Sequence, residues 1–437
     1  MAEFGTLLAL FLIILIGFYL LGTPIAFSLG LTSLTIMLLP VGPSFTYQVF
    51  ASQMYSQLNS FTLLAIPFFL FAGRMMNVIG MTDDLFDFAT ELVGSFPGGL
   101  GHVNVVVSIL FSGMSGSAVA DAAGVGVVEY KAMVERGYSG RFAAGITGAS
   151  ATIGPIIPPS IPLIIYGVFA EESIGALFIA GIIPGLLMGV CLMIFITLLA
   201  LRAGEKLSQT RFPNLKRLGI TGLKAVPGFL APVIIIGGIL FGFFTPTEAA
   251  AVAGLYTVII GFGHYGLKLE NILQTSKKTF EDTAVLTIII GFASVYAFLI
   301  NISGLPSMIE AFVLDFPFGA TLLLFIIVAL LLILGTFMSL LAIIIVTVPL
   351  LAPILPALGI NVIHFGIVMM IALMIGLITP PLGIILFVLE RVTPLSLVEI
   401  SKGVAIFYIP LLTALIILIL FPELSLYLPR RFGLGGL

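Results

Sequence analysis

The chain has 437 residues, of which 60% are hydrophobic and 8% charged, and a formal net charge of −3. Ordinary soluble domains carry about 25% charged residues, so a soluble globular protein is excluded. Apolar runs of about 18 residues or more recur from end to end, each long enough to cross ~30 Å of hydrocarbon, and the alternating pattern of a membrane β-barrel is absent. The fold class is an all-α polytopic membrane protein.

Residues 1–30 have neither a basic leading segment nor a small-residue cleavage site, so they read as a first span and not as a removed signal. A further apolar segment covers 58–80. "TDDLFDFATE" (82–91) sets Leu85, Phe86, Phe88 and Ala89 against Asp83, Asp84, Asp87 and Glu91. It reads either as a short interfacial helix or as an ordinary connecting one. Residues 98–130 are apolar at both ends and interrupted by "SGMSGS" (112–117). Neither half is long enough to span, so a re-entrant hairpin with a polar tip fits better than one broken span. Residues 139–170 follow, interrupted by "IGPIIPPSIP" (153–162), where proline removes backbone donors and clashes with the preceding turn.

Nine of the seventeen Lys and Arg residues lie between 202 and 282. The two loops expected to carry them, 202–224 and 264–280, flank a pair of spans joined by a turn at "FFTPTE" (243–248). By the positive-inside rule both loops are cytoplasmic and the turn faces outward. Counting back, 173–201 runs from outside to inside and 139–170 from inside to outside, so the first hairpin enters from the cytoplasm. Counting forward, 281–301 runs outward, and 319–358 forms a second hairpin, interrupted at "GTFMS" (335–339), that enters from outside. Residues 362–392, broken at "TPP", return inward, and 402–422 is the last span. Cys191, the one cysteine, lies inside a span and excludes an internal disulfide. His102, His264 and His364 share no ligand spacing.

The broken segments repeat. "IGPIIPPSI" (153–161) aligns with "IGLITPPLG" (375–383), placing Gly154 over Gly376, Pro158 over Pro380 and Pro159 over Pro381 at an offset of 222 residues. The same offset puts Gly113 over Gly335 and Ser117 over Ser339. With the charge argument, the two copies have opposite orientations. Inverted-topology repeats with interrupted helices at matching positions mark a secondary transporter whose site lies near the bilayer midplane. A helix broken at depth frees carbonyls, which suit Na⁺, and exposes N-termini, which suit a carboxylate. The competing reading of each Pro-Pro, a kink in a packed helix, explains one copy but not two that each accompany a small-residue tip.

"IPFFLFAG" (66–73), "SGSAVAD" (115–121), "IIPPSI" (156–161), "AGIIPGLL" (180–187), "TPTEAAAVA" (245–253) and "ITPPLG" (378–383), in this order over essentially the whole chain, resemble the large membrane subunit of tripartite ATP-independent periplasmic (TRAP) transporters. The resemblance implies a Na⁺-driven importer of an organic acid anion of the sialic acid or C4-dicarboxylate type in the bacterial inner membrane. It implies an elevator mechanism, in which hairpins and broken helices move against a scaffold in contact with membrane lipid. It also implies two protein partners, a small four-helix membrane subunit, expected as a separate chain, and a soluble periplasmic binding protein. Co-transported Na⁺ is expected, with no organic cofactor and no nucleic-acid partner.

The expected organisation is therefore scaffold and interfacial helix over 1–97, a first transport half over 98–172, scaffold over 173–301, a second transport half over 302–400 and a C-terminal helix over 401–437. Substrate-binding candidates are Ser115, Ser117, Asp121, Pro158 and Ser160. Ser160 directly follows the proline pair and has Leu382 as its counterpart, so it is expected to donate to a substrate carboxylate. Asp121 is a carboxylate at membrane depth, a functional candidate by default that also fits a structural role. One Na⁺ set is Ser115, Ser117, Gly154 and Ile157; the other is Gly335, Thr336, Ser339, Gly376 and Thr379. For all the small tip residues, close helix packing is the competing reading. Glu248 is expected to cap the helix that starts at Thr245 or Thr247, and Arg74 to reach headgroups or pair with an acid. A channel, an intramembrane enzyme and an ATP-driven pump lack their signatures: a repeated pore-lining charge ring, a metal or Ser/His motif, and a phosphate-binding loop. A stand-alone Na⁺/anion symporter of related fold is the remaining alternative.

Overall fold

The computed structural model describes residues 2–39, 47–203, 214–314 and 319–436, without the side chains of residues 2–8, 113–115 and 312. Among the described residues it is nearly all helix, with no strand. Helices α1 (Ala2–Leu20), α2 (Ile25–Leu38), α3 (Tyr47–Leu58), α4 (Ala65–Val78) and α5 (Met81–Val93) precede the first hairpin, built from α6 (Leu100–Ser115), α7 (Ala118–Ala123) and α8 (Val125–Glu135). The first broken helix is α9 (Gly140–Ala151) and α10 (Ile161–Ala170). Four long helices follow, α11 (Ile174–Ala203), α12 (Leu215–Leu240), α13 (Pro246–His264) and α14 (Leu269–Ile302), then the short α15 (Leu305–Leu314). The second hairpin is α16 (Gly319–Phe337) and α17 (Leu340–Leu351), and the second broken helix α18 (Val362–Leu377) and α19 (Ile384–Val392). The chain closes with α20 (Leu397–Ala405), α21 (Tyr408–Leu420) and α22 (Glu423–Arg431).

Six described helices are long and apolar enough to cross a membrane, and α20 with α21 makes a seventh if their 50° bend lies within one span. The bent pair corresponds to the last span expected at 402–422; α22, beyond it, had no counterpart in the sequence reading. The basic segments need correction. Residues 215–224 and 269–280 were expected in loops but belong to α12 and α14, while 204–213 lie outside the described residues. Lys and Arg are good helix formers, and nothing in 269–280 stops a helix. At 34 residues α14 is about 50 Å long, well beyond the hydrocarbon thickness, so its lysines sit on a helical extension.

Helix α18 is apolar on every side, and each residue from Ile363 to Leu377 is buried. A helix of that kind belongs in the middle. It packs along α16 and touches α10, α11 and α21. Helix α14 runs against α2, α3, α4 and α17. Along α11 the outward positions Leu186, Val190, Ile194 and Leu198 are exposed, a stripe at the four-residue spacing of one helix face that suits lipid.

Candidate functional site

Three prolines in eight residues end the first broken helix at Ala151, and the chain runs without regular helix until Ser160. Ser160 restarts it. Its Oγ accepts from the Leu163 N–H at 3.2 Å and donates to the Pro155 carbonyl, and the residue is fully buried. This differs from the expected role. The Ser160 proton is engaged in tying the break together, so the residue acts as a helix cap and not as a free donor to substrate. In the second copy Tyr408 of α21 does comparable work from outside the break, donating to the Ile378 carbonyl at 2.9 Å.

Each tip lies against its own break. Gly116, at φ +57, holds the first tip so close to the break that a Cβ there would sit 2.4 Å from the Pro159 carbonyl oxygen. Ser117 caps α7, accepting from the Ala120 N–H at 3.4 Å. A Cβ on Gly154 would lie 3.6 Å from the Ser117–Ala118 peptide, so the structure brings these two members of the first Na⁺ set together. Ile157 turns its side chain onto α11, where a Cβ on Gly185 would meet it at 2.3 Å. Ser115, the remaining member, lies outside the described side chains.

In the second copy, a Cβ on Gly376 would meet the Cα of Gly335 at 2.7 Å. That contact lets α16 and α18 cross backbone to backbone, so packing alone accounts for both glycines. The Thr336 carbonyl accepts from the Leu382 and Gly383 N–H groups at 3.2 and 3.4 Å, and the Thr379 and Thr336 hydroxyls donate to the carbonyls of Ile375 and Ile333. Ser339 caps α17 as Ser117 caps α7, accepting from Ala342 N–H at 3.4 Å. Both proline pairs, Pro158–Pro159 and Pro380–Pro381, are cis.

Between the two tips lies a cavity of about 370 Å³, within the size range of small-molecule sites. Its wall includes Ser117 and Ser339, Pro155 of the first break, and the first residues of four helices: Ala118 of α7, Ile161 of α10, Leu340 of α17 and Ile384 of α19. Helix N-termini present unpaired N–H groups and partial positive charge. Leu377, the last residue of α18, also lines the cavity and brings a carbonyl-bearing end to the same space. The opposite wall is α14, with Asp282, Val285, Leu286 and Ile289 on one helical face, and Leu70 of α4. Asp282 is the one charged side chain among the described residues of the wall; it pairs with Arg74 of α4. Sequence reasoning missed the α14 wall. The available signal was an acid followed by apolar residues at three, four and seven positions, the spacing of one helix face.

Asp121 is not on the cavity wall. It is buried inside the first hairpin, as is Glu129. The same interior holds the Asn104, Thr147 and Ser150 side chains, with Asn104 Nδ2 donating to Thr147 Oγ1 at 2.9 Å and Ser150 Oγ to Asn104 Oδ1 at 2.5 Å. The structure places it off the cavity wall because α7 is one and a half turns long and Asp121 falls on its inward face. Glu248 completes a capping box, accepting from the Thr245 N–H at 2.8 Å while Thr245 Oγ1 accepts from its own N–H.

Comparison with known proteins agrees with this architecture. Residues 12–424 match the family described as "Tripartite ATP-independent periplasmic transporter, DctM component". The sialic acid TRAP transporter large permease protein SiaM of Vibrio cholerae is 41% identical, over 95% of this chain and 97% of that protein. The C4-dicarboxylate TRAP transporter large permease protein DctM of Pseudomonas aeruginosa is 38% identical, over 93% and 95%. A sialic acid TRAP transporter permease of Haemophilus influenzae, SiaT, is 40% identical over 85% of this chain and 60% of its own length. Among solved structures, the Alcanivorax borkumensis YdaH transporter shares the fold at a TM-score of 0.62, with 14% identity and 89% and 90% of the two chains covered. With the family model spanning nearly all of its length, and relatives alike from end to end, the chain belongs to the DctM family of TRAP transporter permeases.

Proposed function

We propose that this chain is the Na⁺-coupled carrier of an organic acid anion across the bacterial inner membrane, with the cavity between Ser117 and Ser339 as its transport site. The observation that carries this reading is the convergence of four helix N-termini on one cavity. A mostly apolar space ringed by N–H-bearing ends favours a carboxylate. The carbonyl-bearing end of α18 and the Ser117–Gly154 contact offer oxygens of the kind Na⁺ takes. The tips and broken helices form the moving part, and the long helices with their exposed apolar stripes form the lipid-bound scaffold. Substrate arrives from a soluble periplasmic binding protein, and a small membrane subunit completes the assembly. Relatives named for sialic acid and for C4-dicarboxylate set the first substrates to try.

The test is Na⁺-gradient uptake in proteoliposomes holding this chain, the small subunit and the cognate binding protein, with labelled N-acetylneuraminate and succinate. The expected result is saturable uptake of one acid that requires both Na⁺ and the binding protein. Uptake without the binding protein marks a stand-alone symporter instead, and conductance without coupled uptake rejects the carrier. Ser117→Ala and Thr379→Ala are expected to raise the Na⁺ concentration for half-maximal uptake; unchanged Na⁺ dependence in both rejects the two Na⁺ sets.

A further inference from the structure

The cavity has one feature at odds with an anionic cargo. Asp282 carries the only charged side chain among the described residues of the wall, and its sign is that of the acid to be bound. Its partner is Arg74 of α4, with which it makes an ion pair. Arg74 is not itself on the wall: it stands behind Asp282, one turn beyond Leu70, a wall residue on the same face of α4. The pair is unevenly held. The Arg74 side chain is 31% exposed and the Asp282 side chain 54% exposed, and Arg74 Nη1 is buried with no hydrogen-bond partner among the described residues. A guanidinium offers parallel N–H groups that match both oxygens of a carboxylate. Asp282 leaves one of those donor groups unused.

Resting on the cavity as the transport site, we infer that Arg74 is the specificity-determining cation that takes the substrate carboxylate, and that Asp282 is its displaceable counter-ion in the empty site. An incoming carboxylate that replaces Asp282 on Arg74 meets the same side of the guanidinium, and as Asp282 withdraws the donor it leaves idle becomes available to the second carboxylate oxygen. Asp282, more than half exposed at the cavity wall, has room to turn aside. In the empty carrier the pair neutralises Arg74 and covers a charge that is costly to leave unpaired at a membrane-facing site. Selection falls on a carboxylate over a neutral sugar or amide, because a neutral ligand leaves Asp282 in place.

The experiment measures the half-saturating concentration of N-acetylneuraminate or succinate, whichever is transported, in proteoliposomes of the full assembly at fixed Na⁺. Variants are Arg74→Gln, Asp282→Asn, the double variant, and Ser117→Ala with Ser339→Ala. Size-exclusion elution and thermal unfolding establish that each is folded. Asp282→Asn, which removes the competitor, is expected to lower the half-saturating concentration at least threefold. Arg74→Gln is expected to raise it at least tenfold and to leave the Na⁺ half-saturation unchanged. The double variant is expected to resemble Arg74→Gln. If both single variants weaken uptake by the same factor and the double is no worse, the pair is a structural tie between α4 and α14, and the inference is overturned. If the serine variants shift half-saturation and Arg74→Gln does not, the cavity stands and the Arg74 assignment falls. If none of them shifts it, the cavity itself is not the site.

Discussion

Gly116 shows how much a single position carries. Its backbone is left-handed at φ +57, and the Pro159 carbonyl occupies the space a side chain would need. Gly116→Ala is expected to cost about 1–3 kcal/mol for the dihedral alone, with the 2.4 Å approach to that carbonyl forcing the tip off the break besides. Uptake by Gly116→Ala should fall more than tenfold while the protein elutes as the wild type does; wild-type uptake removes the tip from the transport cycle. At this scale the sequence was partly legible. The small tip residues were visible as a cluster, but Ser160 read as a donor because a serine after a proline pair looks free in one dimension. Only the fold shows that its hydroxyl reaches back five residues to Pro155.

Among the elements, the breaks were the easiest to see, because proline and glycine act locally and twice at the same offset. Harder were the boundaries of α12 and α14, whose charged N-terminal stretches looked like loops, and the pairing of α4 with α14, which joins residues 208 apart. No local pattern encodes that contact. Helix α5 carries its own prediction. It turns Met81, Leu85 and Ala89 inward and packs on α6 and α12, leaving four acids along the rest of its length. Partial burial, with Asp84 nearby as the next cause, pushes the Asp87 carboxyl above its ordinary value, against a smaller lowering by Lys224. A carboxyl whose folded pKa lies above its unfolded one binds its proton more tightly when folded. Ionised Asp87 therefore subtracts stability at neutral pH, and that loss disappears as pH falls through the carboxylate range. Asp87→Asn is expected to raise the thermal midpoint slightly at pH 7, and by progressively less as pH falls below the ordinary aspartate value of about 3.9; an equal shift at neutral and low pH rejects the electrostatic account.

For the molecule as a whole, the proposed coupling has an electrical consequence. Two or more Na⁺ moving with a singly charged acid carry net positive charge inward, and each charge is worth ~2.3 kcal/mol per 100 mV. Uptake in proteoliposomes clamped with a potassium gradient is expected to speed up when the interior is negative; indifference to potential rejects that stoichiometry. The joining of the two halves bears on what moves together. Tyr166 of α10 donates to the Val362 carbonyl at the start of α18 at 2.6 Å, and its ring fills the space over Gly366. The first half thus leans on the second.

It leans on the end of the chain as well. Helices α9 and α20 meet at Gly145 and Gly403, where a Cβ on Gly145 would sit 2.3 Å from the Gly403 carbonyl oxygen, and Arg141 reaches Glu399 at 3.0 Å across 258 residues of sequence. During synthesis, then, α9 emerges from the ribosome long before its neighbour exists. Chains stalled before residue 397 are expected to be cut by protease around 140–151, and chains extended past α20 to resist; equal resistance of the two rejects this order of events. The first half of the carrier can finish folding only when the last stretch of the chain has been made.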